Sequence, residues 1–153
     1  MAPVLHKTVY TAEAAVTGGR EGVALTTDGQ VRIDLAVPPA LGGTGQGANP
    51  EQLFAITYAA SFLSAIAMVA GGHGVDVDGA SVTCRVGLGP TASPAWGIAA
   101  RLDVVLPGVD DREARALAAA AHEICPYSNA TRGNVHVEIS LGGEFLADDM
   151  VWA

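Results

Sequence analysis

Residues 49–70 read NPEQLFAITYAASFLSAIAMVA, and the fold turns on whether this stretch is one helix. Asn49 can cap it, because its side-chain oxygen can accept a first-turn amide while Gln52, three residues on, reaches back to the Asn49 amide. Pro50 suits the first helical turn, where no amide hydrogen is needed. From Leu53 to Ala70 eighteen residues pass without a charge, and the Ala, Ser and Thr positions let other backbone come close. Gly71-Gly72 is the expected stop. Eighteen uncharged residues also reach the lower limit for a membrane span. Neither flank carries a Lys or Arg cluster to set an orientation, and Thr57, Ser61 and Ser64 dilute the run. The rest of the chain offers strands to cover it, so a buried central helix is expected and no membrane partner.

At 153 residues the chain fits one domain spanning 1–153, long enough to bury a core without staples. Half the residues are apolar and 16% are charged, which excludes disorder and fits further burial between subunits. Eight basic against sixteen acidic residues give a net charge of −8, with no basic stripe. Nucleic acid and anionic membranes are therefore disfavoured as partners. The opening MAPVLHKTVYTAE has no charged-then-apolar leader, so a cytoplasmic location is expected. Cys84 and Cys125 are then thiols at rest, and a disulfide here is more readily catalytic or sensory than structural.

Around the helix, alternation marks strands. Residues 5 to 16, Glu21 to Thr26 and Val31 to Val37 read as a three-stranded meander, with a hairpin signal at Asp28-Gly29. Arg20 sits in the glycine-softened turn between the first two. Pro38 to Asn49 is a loop holding Gly42, Gly43, Gly45 and Gly47. Its Gly43-Thr44-Gly45-Gln46-Gly47-Ala48 loosely fits a dinucleotide fingerprint, but no buried strand precedes it and no Lys-Ser or Lys-Thr follows, so a plain loop is the reading. Ser81 to Gly89 alternates with Val82, Cys84, Val86 and Leu88 on one face. Cys84 is then apolar filler. Gly97 to Leu106 places Ile98, Ala100, Leu102, Val104 and Leu106 inward. Asp110 or Asp111 can cap a second helix that Pro126 stops, leaving Cys125 at its end in a more accessible setting than Cys84. Asn134 to Leu141 is a last strand. The order is βββ-α-ββ-α-β, an α+β arrangement of a long buried helix on antiparallel sheets.

No metal set emerges, since His6, His73, His122 and His136 are scattered and the His122 and Cys125 pair is two ligands short. Ser61 lacks the elbow of a hydrolase nucleophile. Four motifs in order carry a different signal: Thr17-Gly18-Gly19-Arg20-Glu21-Gly22 with Leu41-Gly42-Gly43, Asn49-Pro50-Glu51-Gln52-Leu53-Phe54, Tyr58-Ala59-Ala60, and Cys125-Pro126-Tyr127-Ser128-Asn129-Ala130-Thr131-Arg132-Gly133-Asn134. Over nearly its whole length the sequence resembles the OsmC/Ohr family, and more closely its organic hydroperoxide resistance branch. The resemblance implies an OsmC-like intertwined homodimer, working as a thiol peroxidase of the oxidative stress response. It would reduce organic and fatty-acyl hydroperoxides to alcohols, and lipoylated proteins or other dithiols would recycle it. No cofactor and no metal are implied.

The family's peroxidatic cysteine follows Tyr-Ala-Ala, and this chain has Ser61 there. The resolving cysteine matches Cys125, and the family's catalytic arginine and glutamate match Arg20 and Glu51. By that resemblance Arg20 stabilises a thiolate and polarises the peroxide, and Glu51 holds the guanidinium through paired hydrogen bonds. A serine hydroxyl stays protonated near neutrality and has no route to a sulfenic acid, so a Cys-to-Ser variant, inactive as it stands, is expected. Competing readings are a natural serine-bearing paralogue that binds apolar ligands without turnover, an OsmC-branch peroxidase, and a purely structural dimer. Glu51 and Ser61 lie ten residues apart, about 15 Å of helical rise, with no Pro or Gly between them to break the helix. Two composite sites at a dimer interface are therefore expected. Phe54, Tyr58, Phe62 and Met68 can form an apolar mouth for a hydroperoxide tail, although residues at this spacing are more simply core.

Overall fold

The computed structural model describes residues 4–142 and 144–145. It falls into two compact units, Met1–Leu53 and Phe54–Ala153, whose boundary lies inside the long helix α1, Pro50–His73.

The first unit is an antiparallel meander of β1 (Ala14–Thr17), β2 (Val23–Thr26) and β3 (Arg32–Asp34). The hairpin between β2 and β3 forms where the Asp-Gly pair places it: Asp28 Oδ1 accepts from Thr26 Oγ1 at 2.6 Å and from the Gln30 amide at 3.0 Å. Two expected strands are shorter than their alternation suggested. Residues 5 to 13 are exposed and pair with no strand, and β3 stops at Asp34 because the chain then bonds to its own loop. Ala48 donates to the Asp34 carbonyl and Ala36 to the Ala48 carbonyl, both at 2.9 Å, closing the glycine-rich loop on itself. A Cβ on Gly43 would stand 2.0 Å from the Val37 carbonyl oxygen. That glycine serves close packing of the loop on its own stem, not a phosphate cradle.

The start of α1 follows the sequence. Gln52 donates its amide to Asn49 Oδ1 at 2.9 Å, and Gln52 Oε1 accepts the Asn49 amide at 3.0 Å, a reciprocal capping box. Its end does not. The helix runs through Gly71-Gly72 to His73, and Gly74, with φ at 69°, is the left-handed residue. Val75 donates to the Ala70 carbonyl at 3.0 Å and Gly74 to that of Gly71 at 3.3 Å, the Schellman pattern.

The second unit holds β4 (Ser81–Pro90), β5 (Trp96–Val105), the helices α2 (Asp111–Ile124) and α3 (Pro126–Thr131), then β6 (His136–Leu141) and the short β7 (Glu144–Phe145). Their strand order is β4-β5-β6-β7. The sheet is mixed, which corrects the expectation of antiparallel sheets alone: β5 and β6 run parallel from Ala99 opposite His136 to Val104 opposite Leu141. The reason is the connection. The chain leaves β5, passes through α2 and α3, and returns beside it, and a helical crossover of this kind lays the second strand parallel to the first. Pro126 stops α2 and also opens α3, because its ring sits at a first helical position. Asp110 is the cap of α2, accepting from the Glu113 amide at 3.0 Å.

The core of this unit joins one row of α1 (Tyr58, Phe62, Ala65, Ile66 and Ala70) to Ala100, Leu102 and Val104 of β5, Val137 and Ile139 of β6, and the alanine-rich face of α2. The expectation of a buried central helix holds for that row alone. Ile56 is 66% and Met68 72% exposed, so α1 is apolar all round but covered on one side. By length and composition α1 is also the one helix among the described residues that could cross a membrane, yet its buried row is packed against polar-backed strands.

His122 is wholly buried on α2, its ring 6.4 Å from that of Phe62. Burial, with a smaller effect of the Arg132 charge, pushes its pKa down to about 4. The folded protein thus refuses a proton that the unfolded chain binds at about 6.5. Stability is complete above that value and falls as pH drops from about 6.5 towards 4, by roughly 3 kcal/mol at full extent. Urea midpoints compared at pH 7 and pH 5 should show the part of this loss that falls above pH 5, about 2 kcal/mol, and His122→Gln should reduce it.

Candidate active site

The structure gathers the four residues singled out in the sequence into two pairs, one in each unit. In the first unit a 3-10 turn, Gly19–Glu21, carries Arg20. Gly18 and Gly19 both have positive φ, 75° and 58°, which lets so short a turn present its arginine. The guanidinium meets Glu51, in the first turn of α1, through two parallel hydrogen bonds: Nη1 to Oε2 at 2.9 Å and Nη2 to Oε1 at 2.7 Å. This is the planar fork geometry that an ammonium cannot reproduce. Arg20 is exposed and Glu51 largely covered. The Arg20 hydrogen bonds hold the Glu51 carboxyl below its usual range, and a helix N-terminus favours the same charge. An ionised Glu51 fixes the guanidinium, whose remaining N–H groups meet no other acceptor among the described residues.

In the second unit Ser61, half-buried on α1, faces Cys125, with Oγ and Sγ 3.5 Å apart. Cys125 ends α2 and begins α3, and its thiol is wholly buried. That corrects the expected accessibility. A residue at a helix end beside a proline reads as exposed in sequence, but α3 folds the turn back against α1. Cys84 is the half-buried cysteine, packed beside the core, and burial pushes its thiol up to about 11. It stays protonated and behaves as filler, as its place in the apolar row of β4 implied.

Three hydroxyls that sequence reading left without a role stand beside this pair. Tyr58, one helical turn before Ser61, is wholly buried, its oxygen 3.0 Å from Ser128 Oγ and 3.3 Å from Thr131 Oγ1. Each hydroxyl has one proton, and Thr131 donates its own to the Tyr127 carbonyl at 2.9 Å. The protons then run one way: Ser128 donates to Tyr58, Tyr58 to Thr131, and Thr131 to the backbone. Burial raises the phenol pKa, so Tyr58 is neutral and able to donate. The available signal was the spacing of Ser128 and Thr131, three apart on a helix opposite a tyrosine. Spacing alone names no partner. Tyr58 and Phe62 belong to the core, Phe54 is partly buried and edge-on to Tyr58 and Tyr127, and Met68 is exposed, so most of the proposed apolar mouth is plain core.

The chain matches the family model described as OsmC-like protein over residues 43–140. It is 44% identical to an organic hydroperoxide resistance protein of Xanthomonas axonopodis pv. citri over 138 residues, covering 89% of this chain and 96% of that protein. Among solved structures, an organic hydroperoxide resistance protein from Legionella pneumophila superposes with a TM-score of 0.85 at 47% identity, covering 88% of this chain and 98% of that one. The organic hydroperoxide resistance protein OhrB of Bacillus subtilis does so with a TM-score of 0.80 at 39% identity, covering 88% and 99%.

Removing the Tyr58 hydroxyl while keeping its ring leaves a buried donor on Ser128 and a buried acceptor on Thr131 without their partner. Tyr58→Phe should therefore lower unfolding free energy by about 1–3 kcal/mol, read as a shift of the urea midpoint at unchanged slope.

Proposed function

We propose a function that starts from kinship: this chain belongs to the OsmC family, within its organic hydroperoxide resistance branch. Members of that branch reduce organic hydroperoxides through a thiol, and the scaffold here is built for the same reaction. The observation that supports the reading is the Ser61 and Cys125 contact at 3.5 Å, at the position that the sequence resemblance matches to the family's peroxidatic cysteine. A thiolate there attacks the terminal oxygen of the hydroperoxide. A sulfur–oxygen bond forms, the oxygen–oxygen bond breaks, and the alkoxide takes a proton and leaves as the alcohol. Arg20, held by Glu51, offers charge-assisted donors to the thiolate and to the departing oxygen. Cys125 then condenses with the sulfenic acid, releasing water, and an external dithiol such as a lipoylated protein returns both sulfurs to thiols. With Ser61 in place the first step is blocked, because a hydroxyl of ordinary pKa is not ionised near neutrality.

The continuity of the helix supports a reading in which the two pairs serve one reaction across two copies. The helix is continuous from Pro50 to His73, and about 15 Å of rise separates Glu51 from Ser61. Arg20 and Glu51 of one copy therefore act on position 61 of a second copy, and the exposed apolar side of α1 supplies the surface that a homodimer buries. Two thiols that must rest reduced suit the cytoplasm.

Ser61→Cys should consume cumene hydroperoxide in the presence of dithiothreitol, while the chain bearing Ser61 does not. Adding Arg20→Ala should lower kcat/KM by about 10–100-fold, the loss of hydrogen bonds to a charged group. Mixing the Ser61→Cys, Arg20→Ala double variant with the Ser61 chain should restore activity in the mixed dimer, since Arg20 then comes from one copy and the thiol from the other. Saturable binding of the hydroperoxide by Ser61→Cys without turnover would sink the peroxidase reading, and an inactive mixed dimer would sink the shared sites.

A further inference from the structure

A hydroxyl and a thiol at 3.5 Å attract each other weakly, so the approach of Ser61 and Cys125 is set by what surrounds them. Cys125 caps α2 and α3 at once, and its place follows from the place of that turn. The turn is fixed in its own shape by Arg132, which donates to the His122 carbonyl at 3.0 Å, to Asn129 Oδ1 at 2.7 Å and to Glu123 Oε1 at 3.3 Å. The end of α2 and the body of α3 are thereby tied together. Tyr58 supplies the hydrogen bonds that tie this piece to α1.

We propose that the Tyr58 hydroxyl is a positioning group for disulfide closure: by joining Ser128 and Thr131 of α3 to α1 one turn before position 61, it keeps the Cys125 thiol within reach of that position. The proposal rests on position 61 being the peroxidatic site. In closure the Cys125 sulfur attacks the sulfenic sulfur, the sulfur–sulfur bond forms, the sulfur–oxygen bond breaks, and hydroxide leaves with the Cys125 proton as water. The new bond is about 2.05 Å long, and the Ser61 oxygen, which stands in for the sulfenic sulfur, lies 3.5 Å from the Cys125 sulfur, so the remaining path is short. Over so short a path a loosened turn costs much of the advantage of proximity. Tyr58 itself does not touch the hydroperoxide, because its ring lies wholly within the core. The step it governs comes after the oxidation.

The test uses the Ser61→Cys protein with and without Tyr58→Phe. The first readout is the equilibrium of the 61–125 disulfide in dithiothreitol buffers, which involves no hydroperoxide. Tyr58→Phe should weaken the disulfide about tenfold, equivalent to about 30 mV in reduction potential. In single turnover with cumene hydroperoxide, the first oxidation should stay within about twofold while closure slows about tenfold, so that excess hydroperoxide drives position 61 on to the sulfinic acid. Thr131→Val, which keeps the tyrosine ring and its hydroxyl, should shift the disulfide the same way, and the two changes together should be less than additive. A disulfide equilibrium and closure rate unchanged in both variants, with only the unfolding midpoint lowered, would overturn the proposal and make Tyr58 a purely structural residue. Failure of Ser61→Cys to consume hydroperoxide would overturn the peroxidase reading instead, and the dithiothreitol equilibrium would still decide the role of Tyr58.

Discussion

The unbroken helix α1 is the constraint on which the rest depends. Its first turn is fixed within the first unit by the capping box at Asn49 and by the fork of Arg20 on Glu51. Its middle is fixed within the second unit by the buried row and by the hydroxyls of Tyr58, Ser128 and Thr131. Each anchor presents its own chemistry, an oriented cation at one and a hydroxyl facing a thiol at the other.

The two pairs are also held by different physics. Arg20 and Glu51 lie near water, where an ion pair alone contributes little, and their value lies in orientation: two parallel hydrogen bonds fix the plane of the guanidinium. Cys125 is wholly buried and Ser61 half-buried, and beside them the hydroxyls of Tyr58, Ser128 and Thr131 join α1 to α3. Burial keeps the neighbouring Tyr58, His122 and Cys84 uncharged. A charge entering this interior must therefore be compensated from outside it, which gives the Arg20 fork its part in the proposed reaction.

Turns explain why the exposed and covered positions fall as they do. The crossover through α2 and α3 makes β6 parallel to β5, and α3 folds Cys125 under cover. Without α3 the thiol would stand at an open helix end. The Schellman close at Gly74 lets α1 run past two glycines, since glycine only weakens a helix and a left-handed residue ends it.

Local chemistry was legible in the residues themselves. The cap at Asn49, the Asp28-Gly29 hairpin, the Asp110 cap, the apolar rows of β4 and β5 and the inert Cys84 all follow from side chains acting on backbone within a few positions. The motifs likewise carried the family, and they singled out Arg20, Glu51, Ser61 and Cys125 as the expected site residues. What no local signal contained was direction and cover. The parallel pairing of β6, the one-sided burial of α1, the concealment of Cys125 and the meeting of Tyr58 with Ser128 and Thr131 join residues tens of positions apart. Such contacts are settled by which surfaces the whole chain can bury together, and periodicity records only that a residue has an apolar side, not what will lie against it.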